Sequence, residues 1–429
     1  MSRAPRPPPP PARQRRALSV VRAGGNLQWS GATEEAKLLA DAMAAAARDD
    51  RRAETLTHPF HTYPARMHPA TARRLVEGLA GGRGASVLDP FCGSGTTLVE
   101  ARAVGLRAVG SDLNPIAVGV ARTKTWTAPR PRRVELQRIG QEIAAEALAE
   151  GKAARRAGHR QAALRRVGRD PMVRDRALGE WFAPHVRREL EQLAALVDEV
   201  HEHDAELAAH LRVVLSSLLY KVSRRASDTD GRRVERQVGR GQAARLFGAR
   251  VELLCSGLDQ LASASGPMVR VETADARHLH RVAASGSIGT VVTSPPYAGT
   301  YDYADQHALR LLFFGLDPAA VAKGEIGARA RFKAGQERAL ADHAADTGAY
   351  LAEVARVLAP GGRAAIVVGD SLAGRTAVHA DRVLRAACPP ELVVIATASQ
   401  ERPILGAERR VFGGDQPPKR EHLLLLERR

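Results

Sequence analysis

An apolar run (Ile288, Val291, Val292) stops at Thr293-Ser294-Pro295-Pro296-Tyr297. The run reads as a buried parallel strand. Two consecutive prolines have no N–H to give a sheet ladder, so strand pairing ends there. Their carbonyls stay free as acceptors. Ser294 adds a hydroxyl and Tyr297 a flat aromatic face. Acceptors beside an aromatic platform, at the carboxyl end of a strand, suit a planar group that carries an NH2.

Four further segments follow the same strand-then-loop logic. Ala85 to Leu88 reads as a strand running into Asp89-Pro90-Phe91-Cys92-Gly93-Ser94-Gly95-Thr96-Thr97 and then a helix to about Val104. Gly93 and Gly95 let the backbone turn tightly and approach a ligand, and the helix N-terminus behind them offers free N–H groups to an anion. The third glycine of a dinucleotide fingerprint is missing, since Leu98 stands there, and no Gly-Lys-(Ser/Thr) marks a P-loop. A second strand, Arg107 to Gly110, ends at Ser111-Asp112-Leu113-Asn114-Pro115. Asp112 has the spacing of an acidic residue that binds ribose hydroxyls, and Asn114 before Pro115 is a helix cap. A third strand, Val269 to Ala274, ends at Asp275. Helix 341–358 closes on Pro360-Gly361-Gly362, strand Arg363 to Gly369 follows, and a helix near 376–388 and strands near 391–398 and over Leu423 to Leu426 complete the pattern.

The segments Asp89 to Thr97 and Ser294 to Tyr297, in that order, resemble the S-adenosylmethionine-dependent amino-methyltransferases, which methylate exocyclic nitrogens of nucleobases. His58-Pro59-Phe60-His61-Thr62-Tyr63-Pro64-Ala65-Arg66 is similar to a His-x-Tyr-Pro-Ala-(Lys/Arg) segment of one branch of that family, where it lies near the methionine end of the cofactor. The resemblance covers roughly residues 58–125 and 266–429. It implies an α/β fold, a Rossmann-like seven-stranded methyltransferase sheet with a helical insertion. It implies S-adenosyl-L-methionine as cofactor, held by Tyr63, Pro64, Asp89, Pro90, Phe91, Gly93, Gly95, Thr96, Asp112, Asn114 and Asp275. The loop and helix N-terminus would take the cofactor's carboxylate, and Asp275 would accept from its adenine amino group. Ser294, Pro295, Pro296 and Tyr297 become the catalytic set, with Tyr297 stacking on the base. The Ser form of the motif is most often that of cytosine-N4 enzymes. DNA cytosine N4 therefore stands ahead of adenine N6, of an RNA base, and of a nucleic-acid-binding protein that has lost catalysis. No Pro-Cys dipeptide is present for C5-cytosine chemistry.

The 429 residues carry a formal charge of +17, which favours polyanions, and nucleic acid is the commonest. Arginine supplies nearly all of it, and a GC-rich coding bias would produce the same pattern. Residues 1–25, with Pro7 to Pro11 among arginines, read as a disordered basic arm. Residues 26–129 read as the cofactor-loop half of the catalytic fold, 130–265 as a helical insertion for target recognition, and 266–429 as the catalytic half. Thr33 is read as the N-cap of a helix over 33–52. Nine basic and two acidic residues fall between Lys152 and Arg176, and a second basic stretch runs from Lys221 through Arg224, Arg225 and Ser227-Asp228-Thr229 to Arg240. Serines and arginines side by side suit phosphates, so Arg224 and Arg225 are candidate nucleic-acid contacts. Arg329, Arg331 and Lys333, read as a basic loop with Phe332, are further candidates.

Cys92, Cys255 and Cys388 show neither zinc spacing nor a disulfide framework, and His58, His61 and His68 have no companion ligands in sequence, so no metal is expected. No apolar run reaches the roughly 20 residues of a membrane span. With no secretory signal read at the N-terminus, the expectation is a cytoplasmic protein working at the nucleoid, with DNA as partner through a flipped base and a restriction endonuclease as a candidate second partner. Recognition sequence and oligomeric state are not encoded in any motif.

Overall fold

The computed structural model describes residues 25–61, 63–64, 66–81, 86–157, 177–226, 232–263, 266–374, 376–404, 406–412 and 417–429. The arm over 1–24, the basic stretch from 158 to 176 and Ser227-Asp228-Thr229 lie outside the described residues.

The strands are β1 (Leu27–Gly31), β2 (Ser86–Asp89), β3 (Arg107–Asp112), β4 (Val269–Thr273), β5 (Ile288–Thr293), β6 (Leu358–Gly369), β7 (Ser371–Ala373), β8 (Thr376–Val378), β9 (Leu392–Glu401) and β10 (Arg420–Arg428). Eight of them form one sheet in the order β1-β9-β10-β6-β5-β2-β3-β4, and β7 and β8 make a separate hairpin. From β6 to β4 the pairings are parallel, and β10 enters antiparallel between β6 and β9. The expected seven strands are present, and an eighth, β1, is added antiparallel on β9.

Helices cover both faces, so the central strands are near-continuously apolar. The alternation is visible along β10: Leu423 and Leu425 sit in one core with α1 (Thr33–Arg48), α2 (Pro69–Leu79), α3 (Thr96–Ala103) and α4 (Pro115–Lys124), while Leu424 and Leu426 sit in the other. That second core is closed by Tyr350, Leu351 and Val354 of the long helix over Gln336–Val357 and by Leu384 of the short helix over Ala380–Ala386. Period-two side-chain alternation in a doubly covered strand produces this split.

Between α4 and β4 come α5 (Arg130–Ala157), α6 (Pro184–His203), α7 (Ala205–Val222) and α8 (Gln242–Ala262). They enclose a third core of Leu190, Leu211, Leu215, Phe247 and Leu254, into which Phe60 and Phe182 also insert. Phe60 lies three residues before Tyr63, so this helical block packs directly on the segment that precedes α2.

Several local readings change. Thr33 is the first helical residue of α1, not its cap; Ala32 occupies the cap position without a side-chain bond. The helix before β6 ends at Val357, ahead of the glycine pair, because Ala359 precedes Pro360 and is pushed to extended backbone. Residues 376–378 pair as β8 instead of beginning a helix, which starts at Ala380.

Candidate active site

Asp89 ends β2, Asp112 ends β3, Asp275 follows β4 and Ser294 follows β5. All lie past the carboxyl ends of parallel strands. They flank the point where chain order in the sheet reverses between β2 and β5, the usual ligand crevice of open α/β sheets.

The loop after β2 owes its shape to two left-handed glycines, Gly93 at φ 48° and Gly95 at φ 79°. A Cβ on Gly93 would stand 3.0 Å from the Tyr63 ring, and one on Gly95 would stand 3.0 Å from Ala121. Asp112 receives the Gly93 N–H at 2.9 Å through Oδ2 and the Asn114 N–H at 2.8 Å through Oδ1. Asn114 in turn caps α4, accepting from the Ile116 N–H at 3.0 Å. Asp89 accepts from the Phe91 N–H at 3.2 Å and from the Thr293 hydroxyl at 2.7 Å, which ties the glycine loop to the strand that delivers Ser294. Burial pushes the Asp89 and Asp112 carboxyls up to about 6.

These groups converge on one cleft, partly open to solvent. Tyr63, Pro64, Asp89, Pro90, Phe91, Gly93, Thr96, Asp112, Asn114 and Asp275 all line it, and so do Ser294 and Pro296. Gly95 does not reach it; this residue packs under the loop on Ala121. Asp275 is already engaged. Burial alone would raise its carboxyl, but Arg277 grips both oxygens, at 2.9 Å on Oδ1 and 2.6 Å on Oδ2, and brings it below the ordinary value.

Pro295 and Tyr297 face a second, smaller cavity, with Pro296 as the wall shared with the cleft. The Tyr297 ring packs against Gly369, where a Cβ would come within 2.6 Å of a ring carbon. Burial pushes the Tyr297 phenol far up, so it stays protonated.

Sequence reasoning did not assign Arg66, Ser94, Tyr303 and Glu325, all of which line the cleft. Arg66 and Ser94 sit inside the quoted motifs. Tyr303 falls in a stretch, Tyr301-Asp302-Tyr303, that the sequence places close to the site without giving it a role, and Glu325 carries no local signal. They form a roof in which the Glu325 carboxylate receives the Tyr303 and Ala304 N–H groups, and Gly299 N–H bonds Gly327 C=O at 2.9 Å. Burial pushes the Glu325 carboxyl up to about 7.

The histidines before the loop are structural. His58 bonds Glu100 of α3 at 2.7 Å, His61 bonds Ser216 of α7 at 3.1 Å, and His68 accepts from the Ala70 N–H to cap α2. Glu100 also takes a two-pronged bond from Arg52 at 3.0 and 2.7 Å. Burial holds His58 down at about 4, so it is neutral, with Glu100 opposing.

Of the candidate nucleic-acid contacts, Arg225 stacks its guanidinium 4.8 Å over Trp181, and Arg224 reaches the Gly179 carbonyl. Arg329 pairs with Asp302 at 3.3 Å, and Arg331 donates to the Lys323 carbonyl. Residues 329–334 form a short helix, not a loop, and Phe332 is buried in it instead of exposed for stacking. Lys333 is exposed, as are Arg233 and Arg240 at the turn between α7 and α8.

The cleft fits an S-adenosyl-L-methionine-like ligand on two counts. Ser94 Oγ, Thr96 Oγ1 and Asn114 Nδ2 are buried without a hydrogen-bond partner, and all three residues line it. Four carboxyl groups (Asp89, Asp112, Asp275, Glu325) against one guanidinium (Arg66) make a lining that attracts positive charge. Among the described residues one further group has metal-ligand proximity, Asp370, Asp381 and His422, away from the cleft lining. No described helix is long and apolar enough to cross a membrane.

Comparison with known proteins gives partial matches. The profile of a DNA methylase family matches residues 41–122, which include the whole glycine loop and Asp112. The Type II methyltransferase M.MvaI of Kocuria varians is 42% identical over 72 residues, 16% of this chain and 16% of that protein. A tRNA (guanine(10)-N2)-dimethyltransferase of Methanothermobacter thermautotrophicus is 45% identical over 56 residues, 13% of this chain and 16% of its own length. The chain thus spans about one sixth of the curated relatives it matches. Among solved structures, TrmN from Thermus thermophilus aligns over 85% of this chain and 49% of its own at 14% identity and TM-score 0.33. The rRNA methyltransferase aviRa from Streptomyces viridochromogenes aligns over 86% and 88% at 13% identity and TM-score 0.30. The family match supports an amino-methyltransferase, with S-adenosyl-L-methionine as the expected cofactor.

Proposed function

We propose that this chain methylates the exocyclic amino group of a nucleobase in DNA, cytosine N4 ahead of adenine N6. The observation that carries the reading is the shared cleft: Ser294 and Pro296 line the same space as the glycine loop and Asp112. S-adenosyl-L-methionine, when bound, supplies an electrophilic methyl group on a sulfonium. Tyr63, Ser94, Thr96, Asp112 and Asn114 are the residues that would hold it. The amino lone pair of a base is conjugated into its ring. Ser294 Oγ and the Pro295 carbonyl accept the two amino hydrogens, draw the nitrogen toward tetrahedral geometry and free the lone pair. The base must first leave the helix, at a cost of a few kcal/mol. Stacking on Tyr297 offsets that cost. Phosphate contacts fall to exposed cations, for which Arg233, Arg240 and Lys333 are better placed than Arg225.

RNA is the second reading, favoured by the tRNA dimethyltransferase among the curated relatives. Nucleoside mass spectrometry after incubation with labelled S-adenosylmethionine and, in separate reactions, unmethylated DNA and RNA decides between them. The expected product is N4-methylcytosine from DNA. Ser294→Ala lowers kcat about 100-fold with cofactor affinity nearly unchanged, because it removes an interaction made chiefly in the transition state. Label only in RNA replaces the substrate class, and N6-methyladenine keeps the mechanism but moves the target base.

A further inference from the structure

A carboxylate or amide oxygen in the place of the Ser294 hydroxyl would bear no hydrogen, whereas a hydroxyl is one donor and two acceptors. To accept a hydrogen from an amino group, Ser294 must turn its own hydrogen elsewhere. The Tyr297 phenol lies within hydrogen-bonding reach of it. The phenol oxygen can take that hydrogen when its own O–H points away. A Cβ on Gly369 would stand 3.3 Å from Cζ of Tyr297, the carbon that carries the phenol oxygen. Gly369 of β6 is directly opposite Glu421 of β10 in the antiparallel ladder. Opposite residues share a face of the sheet, with Cβ atoms about 4.5–5.5 Å apart, so the Glu421 side chain leaves the sheet beside the phenol end of the ring. Its carboxylate pairs with Nη2 of Arg402, just past β9. The Arg402 and Glu421 side chains are 13% and 21% exposed, so water screens them only in part. Burial pushes the Tyr297 phenol up, and the charge of Glu421 pushes it further, with Ser294 and Arg402 opposing.

We infer that Glu421 is a positioning residue for methyl transfer: held by Arg402, its carboxylate draws the Tyr297 O–H toward itself, so that the phenol oxygen receives the Ser294 O–H and the Ser294 lone pairs are left to the amino group. The inference rests on the amino-methyltransferase reading above and deepens it. Glu421 does not line the cleft and acts through Tyr297. No proton changes owner along this chain; each hydroxyl is only oriented. Tyr297 then has two functions, its ring face for the base and its oxygen for Ser294.

The test is a double-mutant cycle on the full chain: wild type, Glu421→Gln, Tyr297→Phe and the two together. It reads the single-turnover rate of label transfer from S-adenosylmethionine to DNA, or to RNA if the wild type labels that alone, with calorimetry for cofactor affinity and thermal melts for folding. Glu421→Gln is expected to lower the rate about tenfold, the worth of one oriented hydrogen bond, with cofactor affinity within about twofold. Tyr297→Phe keeps the ring and loses the oxygen, so it lowers the rate at least as much, and adding Glu421→Gln to it costs no more than about twofold. If the single Gln variant unfolds, Arg402→Gln together with Glu421→Gln leaves neither charge without its partner and gives the same cycle with Tyr297→Phe. Losses that multiply in the double variant, or a Glu421→Gln rate equal to that of the wild type, would overturn the inference. A wild type that transfers label to neither DNA nor RNA would instead overturn the reading of the function itself.

Discussion

At the scale of single residues, the cleft holds carboxyl groups away from their ordinary titration. Asp89 and Asp112 are pushed up to about 6 and Glu325 to about 7, in each case chiefly by burial. A carboxyl whose folded pKa exceeds its unfolded value near 4 holds its proton more tightly when folded. Its contribution to stability is full below about pH 4 and is lost as pH rises through the folded value. At pH 7 buried negative charge in the cleft therefore costs stability, and a cationic ligand relieves that cost. The increase in Tm given by saturating S-adenosylmethionine should grow from pH 5 to pH 8, with most of the change between about 5.5 and 7.5. Differential scanning fluorimetry across that range checks it, and a flat profile would mean that these carboxyls do not face the ligand.

At the scale of elements, strands with continuous apolar runs were legible because both faces of the sheet are covered. β2, β5 and the four leucines of β10 each declare themselves this way. The glycine loop and Asp112 were legible because their constraints are local: two positive φ angles and two N–H groups received by one carboxylate. β1 was not. Its five residues, Leu-Gln-Trp-Ser-Gly, are mostly exposed on the sheet edge, and only pairing with β9 makes them a strand. Glu325 was missed because it meets the Tyr303 and Ala304 N–H groups, from an earlier segment, only after folding. Tyr297 was legible as a motif member but not in direction, since its seat is Gly369, on the neighbouring strand β6. That seat gives a clean substitution. Gly369 does not have a positive φ, so alanine suits the backbone, yet its Cβ would meet the Tyr297 ring at 2.6 Å. Gly369→Ala should cut methyl transfer at least tenfold by tilting the ring, with cofactor affinity within about twofold. An unchanged rate would remove Tyr297 from the stacking role.

At the scale of the whole molecule, charge is divided. The chain carries +17 overall, but the cleft lining has an excess of carboxyl groups. A cationic cofactor and a polyanionic substrate can then be drawn to different parts of one surface without competing. Much of the arginine is spent internally: Arg236 donates to the Tyr220 and Lys221 carbonyls at the end of α7, Arg132 pairs with Asp204 and Glu135, and Arg277 with Asp275 and Asp346. Net charge therefore overstates the binding surface, and the exposed cations decide it. Each phosphate neutralised on duplex DNA contributes about −0.9 to the slope of log K against log salt. Replacing Arg233, Arg240 and Lys333 together by glutamine should reduce the magnitude of that slope by about 2 to 3. It should leave S-adenosylmethionine affinity at a fixed salt concentration unchanged, because none of the three lines the cleft. Fluorescence anisotropy with a labelled duplex over a salt series, beside calorimetry with the cofactor, reads both quantities. A slope equal to that of the wild type would move the nucleic-acid contact elsewhere on the molecule. Loss of cofactor binding together with DNA binding would mean that the two surfaces are not separate.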